Sequence, residues 1–114
     1  MGLAPYGKPR FMGEMRQLVK LEEDGKFSLN LDYFRHHREN VEYEWEGGEP
    51  FVGNLFSARL GELLGPARQQ NNELTQRHKD LACSVQAMYE EAFFHLLNRL
   101  HARYPINALA LAGG

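Results

Sequence analysis

The segment RHKDLACSVQAMYEEAFFHLLNRLHARYPINALALAGG, residues 77–114, decides how the chain is read. Leu81, Val85, Met88, Ala92, Leu96 and Leu100 recur at three- and four-residue steps, and Tyr89, Phe93 and Leu97 widen the stripe they form. This spacing predicts an amphipathic helix over about 74–104, and so broad an apolar face belongs to a helix packed on more than one side. Unbroken, it would span roughly 45 Å at 1.5 Å per residue, longer than a compact domain of this chain length is wide. Pro105 ends the pattern, and the apolar run 106–112 then closes on Gly113 and Gly114. Directly after a helix, such a run reads as a strand buried on both faces of a parallel sheet. A parallel sheet needs further strands and crossover helices, and the rest of the sequence offers at most one hairpin. The expected architecture is therefore an α+β, mainly helical fragment with three helices, the last one long, a small β-hairpin and a C-terminal strand. Residues 1–114 form a single partial domain in this reading. Without its sheet, 109–114 is expected to fray or pack irregularly while the helices fold.

Upstream of the long helix, Gln69, Gln70, Asn71 and Asn72 make a polar linker in which Asn71 or Asn72 can serve as N-cap. Phe51, Val52, Leu55, Phe56, Leu60, Leu63 and Leu64 sit at helical spacing and predict a second helix over 51–64, stopped by Gly65-Pro66. The stretch 32–49 mixes Tyr33, Phe34, Tyr43 and Trp45 with charged residues and is expected to be surface structure, partly extended. Asp24-Gly25 followed by Phe27, Leu29 and Leu31 at period two predicts a half-buried strand, paired with either 19–21 or 41–45. Phe11, Met12, Met15, Leu18, Val19 and Leu21 predict a first helix over about 10–22. The opening nine residues, with two glycines and two prolines, are a constrained loop.

Bulk properties narrow the function classes. The 114 residues are 43% hydrophobic and 25% charged, the composition of an ordinary folded domain. A formal net charge of −2 with scattered basic residues gives no footprint for a nucleic-acid backbone or an acidic bilayer surface. No apolar run is long enough to span a membrane and no signal-peptide pattern opens the chain, so a cytoplasmic location is expected. Cys83, the single cysteine, cannot form an internal disulfide and is expected to be a small buried core residue.

Two motifs stand at the ends: Met1 to Gly7 reads MGLAPYG, and Asp80, Leu81, Ala82, Ser84 and Gln86 fit a D-[IL]-A-x-S-x-Q pattern that leads to Leu111-Ala112-Gly113-Gly114. In this order they resemble the O-carbamoyltransferase family of nodulation protein U and the antibiotic-tailoring carbamoyltransferases. Leu64-Gly65-Pro66-Ala67-Arg68 is similar to a further family element that usually has a second proline where Ala67 stands. The resemblance runs from the first residue to the last. It implies a piece of an actin/Hsp70-like (ASKHA) ATP-grasping domain. It also implies an enzyme that joins carbamoyl phosphate and ATP into a carbamoyladenylate and passes the carbamoyl group to a hydroxyl of a sugar, oligosaccharide or natural product. ATP and a divalent metal would be cofactors of the full-length protein. The family's metal ligands, an H-x-x-x-H element before MGLAPYG and an aspartate after the glycine pair, have no counterpart in these residues.

On this reading Gly113 and Gly114 are candidates for nucleotide binding, because a glycine pair lets backbone N–H groups approach a phosphate or ribose closely. Lys8 and Arg68, each following a proline-glycine loop, are second-tier phosphate candidates, with solvated surface charge as the competing reading. His36 and His37 are adjacent and His95 and His101 are six apart, neither being the i, i+4 spacing of a helical metal pair. Glu90 and Glu91 point about 100° apart on a helix and read as solvated charges. Tyr33, Phe34, Tyr43 and Trp45 could line an acceptor pocket or seal a hairpin. No catalytic residue and no metal ligand is assigned, and the isolated piece is expected to be inactive. Two other classes compete: a stand-alone helical interaction module whose apolar stripe docks a partner, and the tRNA-modifying branch of the same superfamily, which MGLAPYG disfavours.

Overall fold

The computed structural model describes residues 2–112, with three α-helices and two separate antiparallel hairpins. Helix α1 covers Met12–Leu18, α2 Ala58–Leu64 and α3 Gln76–Arg103. Strands β1 (Val19–Leu21) and β2 (Phe27–Leu29) form the first hairpin, β3 (Tyr43–Glu46) and β4 (Glu49–Val52) the second. The α+β reading with a long last helix holds. Its details change in four places.

The first helix stops at Leu18, because Val19 adopts an extended φ of −122° and ψ of 119° and pairs with Leu29. Asp24 at φ 61° and Gly25 at φ 76° reverse the chain, so the residues that looked like the end of a helix supply the edge that Phe27–Leu29 needs. The hairpin partner is thus 19–21 and not 41–45. The turn seats on α3: His95 Nε2 donates to the Glu22 carbonyl at 2.7 Å, and Arg99 pairs with Asp24 at 2.6 Å.

The second helix begins at Ala58 and not at 51. Gly47 and Gly48, at φ 60° and 89°, supply two adjacent left-handed residues, the requirement of a two-residue hairpin turn whose twist matches its strands. Phe51 and Val52 are drawn into β4 opposite Glu44 and Tyr43. Pro50 is tolerated because β4 is an edge strand, where a missing N–H faces solvent.

α3 is capped by Thr75 and not by Asn71 or Asn72; the Thr75 N–H donates to Nδ1 of His78 at 3.0 Å. Its 28 residues run unbroken for about 42 Å. The molecule stretches with it, to 48 × 32 × 27 Å and a radius of gyration of 16.9 Å, where a compact chain of this size has about 13 Å. Its accessible surface is 9014 Å², against roughly 6,400 Å² for a folded monomer of this mass.

The C-terminal strand does not form among the described residues: 105–112 has no ladder partner and lies exposed. Leu109 and Leu111 are 56% and 70% accessible. A loose cleft of about 530 Å³ separates Ile106 and Leu109 from Leu97 and Leu100 on α3. A strand with no sheet beside it leaves its N–H and C=O groups to water, so the extended run stays irregular.

The core is small. Met15, Leu18, Tyr33, Met88 and Ala92 are its buried residues, with Phe11, Leu21, Phe34 and Leu60 packed around them. On α3 the buried row is Asp80, Ser84, Met88 and Ala92 at four-residue steps, while Val85, Tyr89 and Leu96 from the apolar stripe remain open. Beside that row Phe27, Leu29, Leu64, Tyr89 and Phe93 line an apolar groove of about 570 Å³. Among the described residues no helix is long and apolar enough to cross a membrane.

Candidate functional site

The two end motifs meet. The N-terminal loop lies against the first three turns of α3, and the polar contacts between them run through Asp80 and Ser84 of the helix pattern and through Gln76 one turn before it. Pro5 falls in a short 3-10 turn at Ala4–Tyr6, where its fixed φ suits the first helical positions, and Ala4 is buried. Gly7 follows in ordinary extended backbone, φ −118°. Space and not conformation demands glycine here, because a Cβ would overlap the Lys79 carbonyl of α3.

Past Gly7 the loop donates its backbone N–H groups to the helix side chains. The Lys8 N–H donates to Oδ1 of Asp80 at 2.8 Å and the Phe11 N–H to Oγ of Ser84 at 3.0 Å. Ser84, fully buried, donates in turn to the Asp80 carbonyl at 2.7 Å, so its hydroxyl joins loop to helix. Gln76 bridges from the other side, its Nε2 donating to Asp80 Oδ1 at 2.9 Å and to the Tyr6 carbonyl at 3.3 Å. Arg10 reaches Oδ2 of Asp80 at 3.5 Å. Asp80 is therefore the hub, a 4% accessible carboxylate with partners on both oxygens.

These partners hold the Asp80 carboxyl below the ordinary aspartate range. Hydrogen bonding from Gln76 contributes most and the Lys8 N–H next, against the opposing effect of burial; Arg10 and the Lys8 ammonium add attraction. A carboxyl whose folded pKa is depressed contributes stability that is present above its unfolded pKa, about 3.9, and lost as pH falls through the lower folded value. Acid unfolding should accordingly begin below about pH 4 with a proton uptake that Asp80→Asn removes. Titration of unfolding midpoint against pH for both proteins checks this, and parallel curves would contradict it.

Chemically the arrangement is a clamp. It fixes a strained-free but crowded loop on a helix and leaves Tyr6 and the Lys8 side chain at the surface. Arg68 lies elsewhere, after α2, its guanidinium donating to the carbonyls of Asn72 at 2.8 Å and Gln70 at 3.3 Å. Gly113 and Gly114 lie outside the described residues. The aromatic quartet does not assemble: Tyr33 is buried in the core under Arg59, while Tyr43 and Trp45 stand edge to face, exposed, on β3. Cys83 is half-buried, where full burial was expected, beside Ala4, Pro5 and Gln86. Glu91 pairs with Arg16 and Glu90 accepts from Gln86. Among the described residues no three His, Cys, Asp or Glu side chains come together.

The sequence periodicity missed Asp80 and Ser84 as buried residues, since polar side chains drop out of an apolar stripe. The available signal was their place in one four-step row with Met88 and Ala92.

No family model matches the chain. No solved structure matches it. Among curated proteins the chain is similar along its whole length to three much longer ones. It is 33% identical over 115 residues to an uncharacterized protein, sll1178, of Synechocystis sp., covering 17% of that protein. It is 28% identical over 115 residues to nodulation protein NolO of Bradyrhizobium diazoefficiens, covering 17%, and 30% identical over 118 residues to nodulation protein NolNO of Sinorhizobium fredii, covering 14%. The chain is thus related to nodulation proteins of which it spans 14–17% of the length.

Proposed function

We propose that this chain is one segment of an ATP-dependent O-carbamoyltransferase that moves a carbamoyl group from carbamoyl phosphate, through a carbamoyladenylate, to a hydroxyl of a sugar, oligosaccharide or natural product. The observation that carries the proposal is the clamp: the MGLAPYG loop packs on α3, with Gly7 against the Lys79 carbonyl, and the N–H groups of Lys8 and Phe11 that follow it donate to Asp80 and Ser84, so the two elements on which the carbamoyltransferase resemblance rests lie together. Kinship with NolO and NolNO supports it. The surface excess and the open groove agree with a segment whose remaining neighbours come from a longer polypeptide.

In that enzyme Gly113 and Gly114 would let backbone N–H groups approach the nucleotide, and Lys8 and Arg68 are candidate phosphate partners. The described residues offer no ligand set for a divalent metal, so metal ligands would come from elsewhere in the longer chain. The segment's own task is positional: Asp80, Ser84 and Gln76 fix the loop, and the loop fixes Lys8.

The test is an assay of the longer polypeptide with carbamoyl phosphate, ATP and a panel of hydroxyl acceptors. Carbamoyl-phosphate-dependent release of pyrophosphate and a carbamoylated acceptor are expected from the long form and none from the 114 residues alone. Turnover by the short form, or no ATP-dependent transfer by the long one, contradicts the proposal. The groove also favours a second reading, a module that docks an apolar partner helix, which requires the 114 residues to be soluble and partner-seeking by themselves.

A further inference from the structure

The second hairpin, β3–β4, is the element that the clamp and the core leave unused. It packs closely on neither the helices nor the first hairpin, and a two-stranded hairpin alone in water is marginally stable at best. Its register puts Tyr43 beside Val52 and Trp45 beside Pro50 on one face, and Glu44 beside Phe51 on the other. The Tyr43 and Trp45 rings stand edge to face with centroids 6.0 Å apart, and Trp45 is 66% accessible. Phe51 and Val52 are exposed as well, so both faces offer apolar surface without a cover among the described residues.

Charge selects the cover. Glu39, Glu42, Glu44, Glu46 and Glu49 follow one another along 39–49, and no Lys, Arg or His occurs from Glu39 to Ala58. Glu39 is taken by Arg35, whereas Glu42 and Glu44 meet no cation at ion-pair distance among the described residues. Such a hairpin repels an anionic partner, whether a nucleic-acid backbone or an acidic bilayer. A second copy is disfavoured too, because pairing strand against strand would bring like carboxylates together. An arginine or lysine is attracted twice, by the carboxylates and by the negative faces of the indole and phenol rings. The chain spans 14–17% of the nodulation proteins to which it is related, so most of the protein surface within reach of the hairpin belongs to the same polypeptide.

We propose that the second hairpin is a docking arm for a basic element of the longer polypeptide outside these 114 residues, with an arginine or lysine side chain seated on the Tyr43 and Trp45 rings. The stem of that side chain covers the apolar face, and its charge meets the field of the hairpin's carboxylates. The inference rests on reading the chain as a segment of a longer protein and needs none of the carbamoyl chemistry. A long polypeptide inactive in carbamoyl transfer but docked here would keep it, and an active one with a free hairpin would sink it alone.

The test is hydrogen exchange, read by mass spectrometry, on the 114-residue chain and on the longer polypeptide, with Trp45→Ala and Glu44→Lys made in the longer form. Amides of 43–52 are expected to exchange fast in the short chain and to be strongly protected in the long one. Each substitution should lower that protection about tenfold or more, since a cation–π contact or a charge attraction is lost. A second peptide, outside these residues and carrying Lys or Arg, should lose protection together with 43–52. Unchanged exchange at Lys8 and Phe11 would certify that the clamp, and with it the fold, is retained. Equal exchange of 43–52 in both forms, protection that rises with protein concentration as a second copy would require, or a responding peptide without Lys or Arg overturns the proposal.

Discussion

Gly7→Ala is expected to lift the N-terminal loop off α3. The added methyl has to occupy the position of the Lys79 carbonyl, a backbone atom of a hydrogen-bonded helix that cannot swing aside as a side chain would. Overpacking of this kind costs about 1–3 kcal/mol by itself. The loop can escape it only by retreating, which breaks the bonds from the Lys8 and Phe11 N–H groups to Asp80 and Ser84. Ser84, which is fully buried, would then be short of a partner, a loss of about 1–3 kcal/mol more. Hydrogen exchange at Lys8 and Phe11 should accelerate markedly while the middle of α3 keeps its protection. Unchanged exchange at those two amides would mean that the loop is not held by this contact.

Met88→Ala should unfold much of the molecule. Met88 is 2% accessible and sits at the centre of a core with only Met15, Leu18, Tyr33 and Ala92 as its other buried members. Truncating a buried methionine costs about 2–5 kcal/mol, a large share of the 5–15 kcal/mol that holds an ordinary domain. Val85→Ala, one turn earlier but 55% accessible, should change stability by about 0.5 kcal/mol or less. Denaturant unfolding of the two variants checks the contrast. An equal loss from both would mean that the Val85 face is covered in solution.

The same numbers explain what was legible in the sequence. α3 could be read because its apolar period persists over many turns, and Pro105 marks its end. The first hairpin was half legible: Asp24-Gly25 announced the turn, but 18–21 satisfies a helix and a strand equally until Phe27–Leu29 is placed beside it. The second hairpin was hidden because Phe51 and Val52 fit helical spacing, and the deciding residues, Gly47 and Gly48, act through backbone angles that carry no periodicity. The strand expected over 106–112 failed for a different reason. A strand is a property of a pair, and the described residues hold no partner for it.

Of the candidate site residues, the resemblance pointed to Asp80 and Ser84, while charge patterning hid their role, since a carboxylate amid Arg77, His78 and Lys79 looks like a solvated face.

The claim that most else depends on is that the open face of α3 and the run 106–112 are interior surfaces of a larger domain. Amide hydrogen exchange on the 114-residue chain and on the longer polypeptide tests it directly. The account predicts fast exchange at Ala108, Leu109, Ala110 and Leu111 in the short form and strong protection of the same amides in the long one. Equal, fast exchange in both forms, or full protection in the short form, would contradict it.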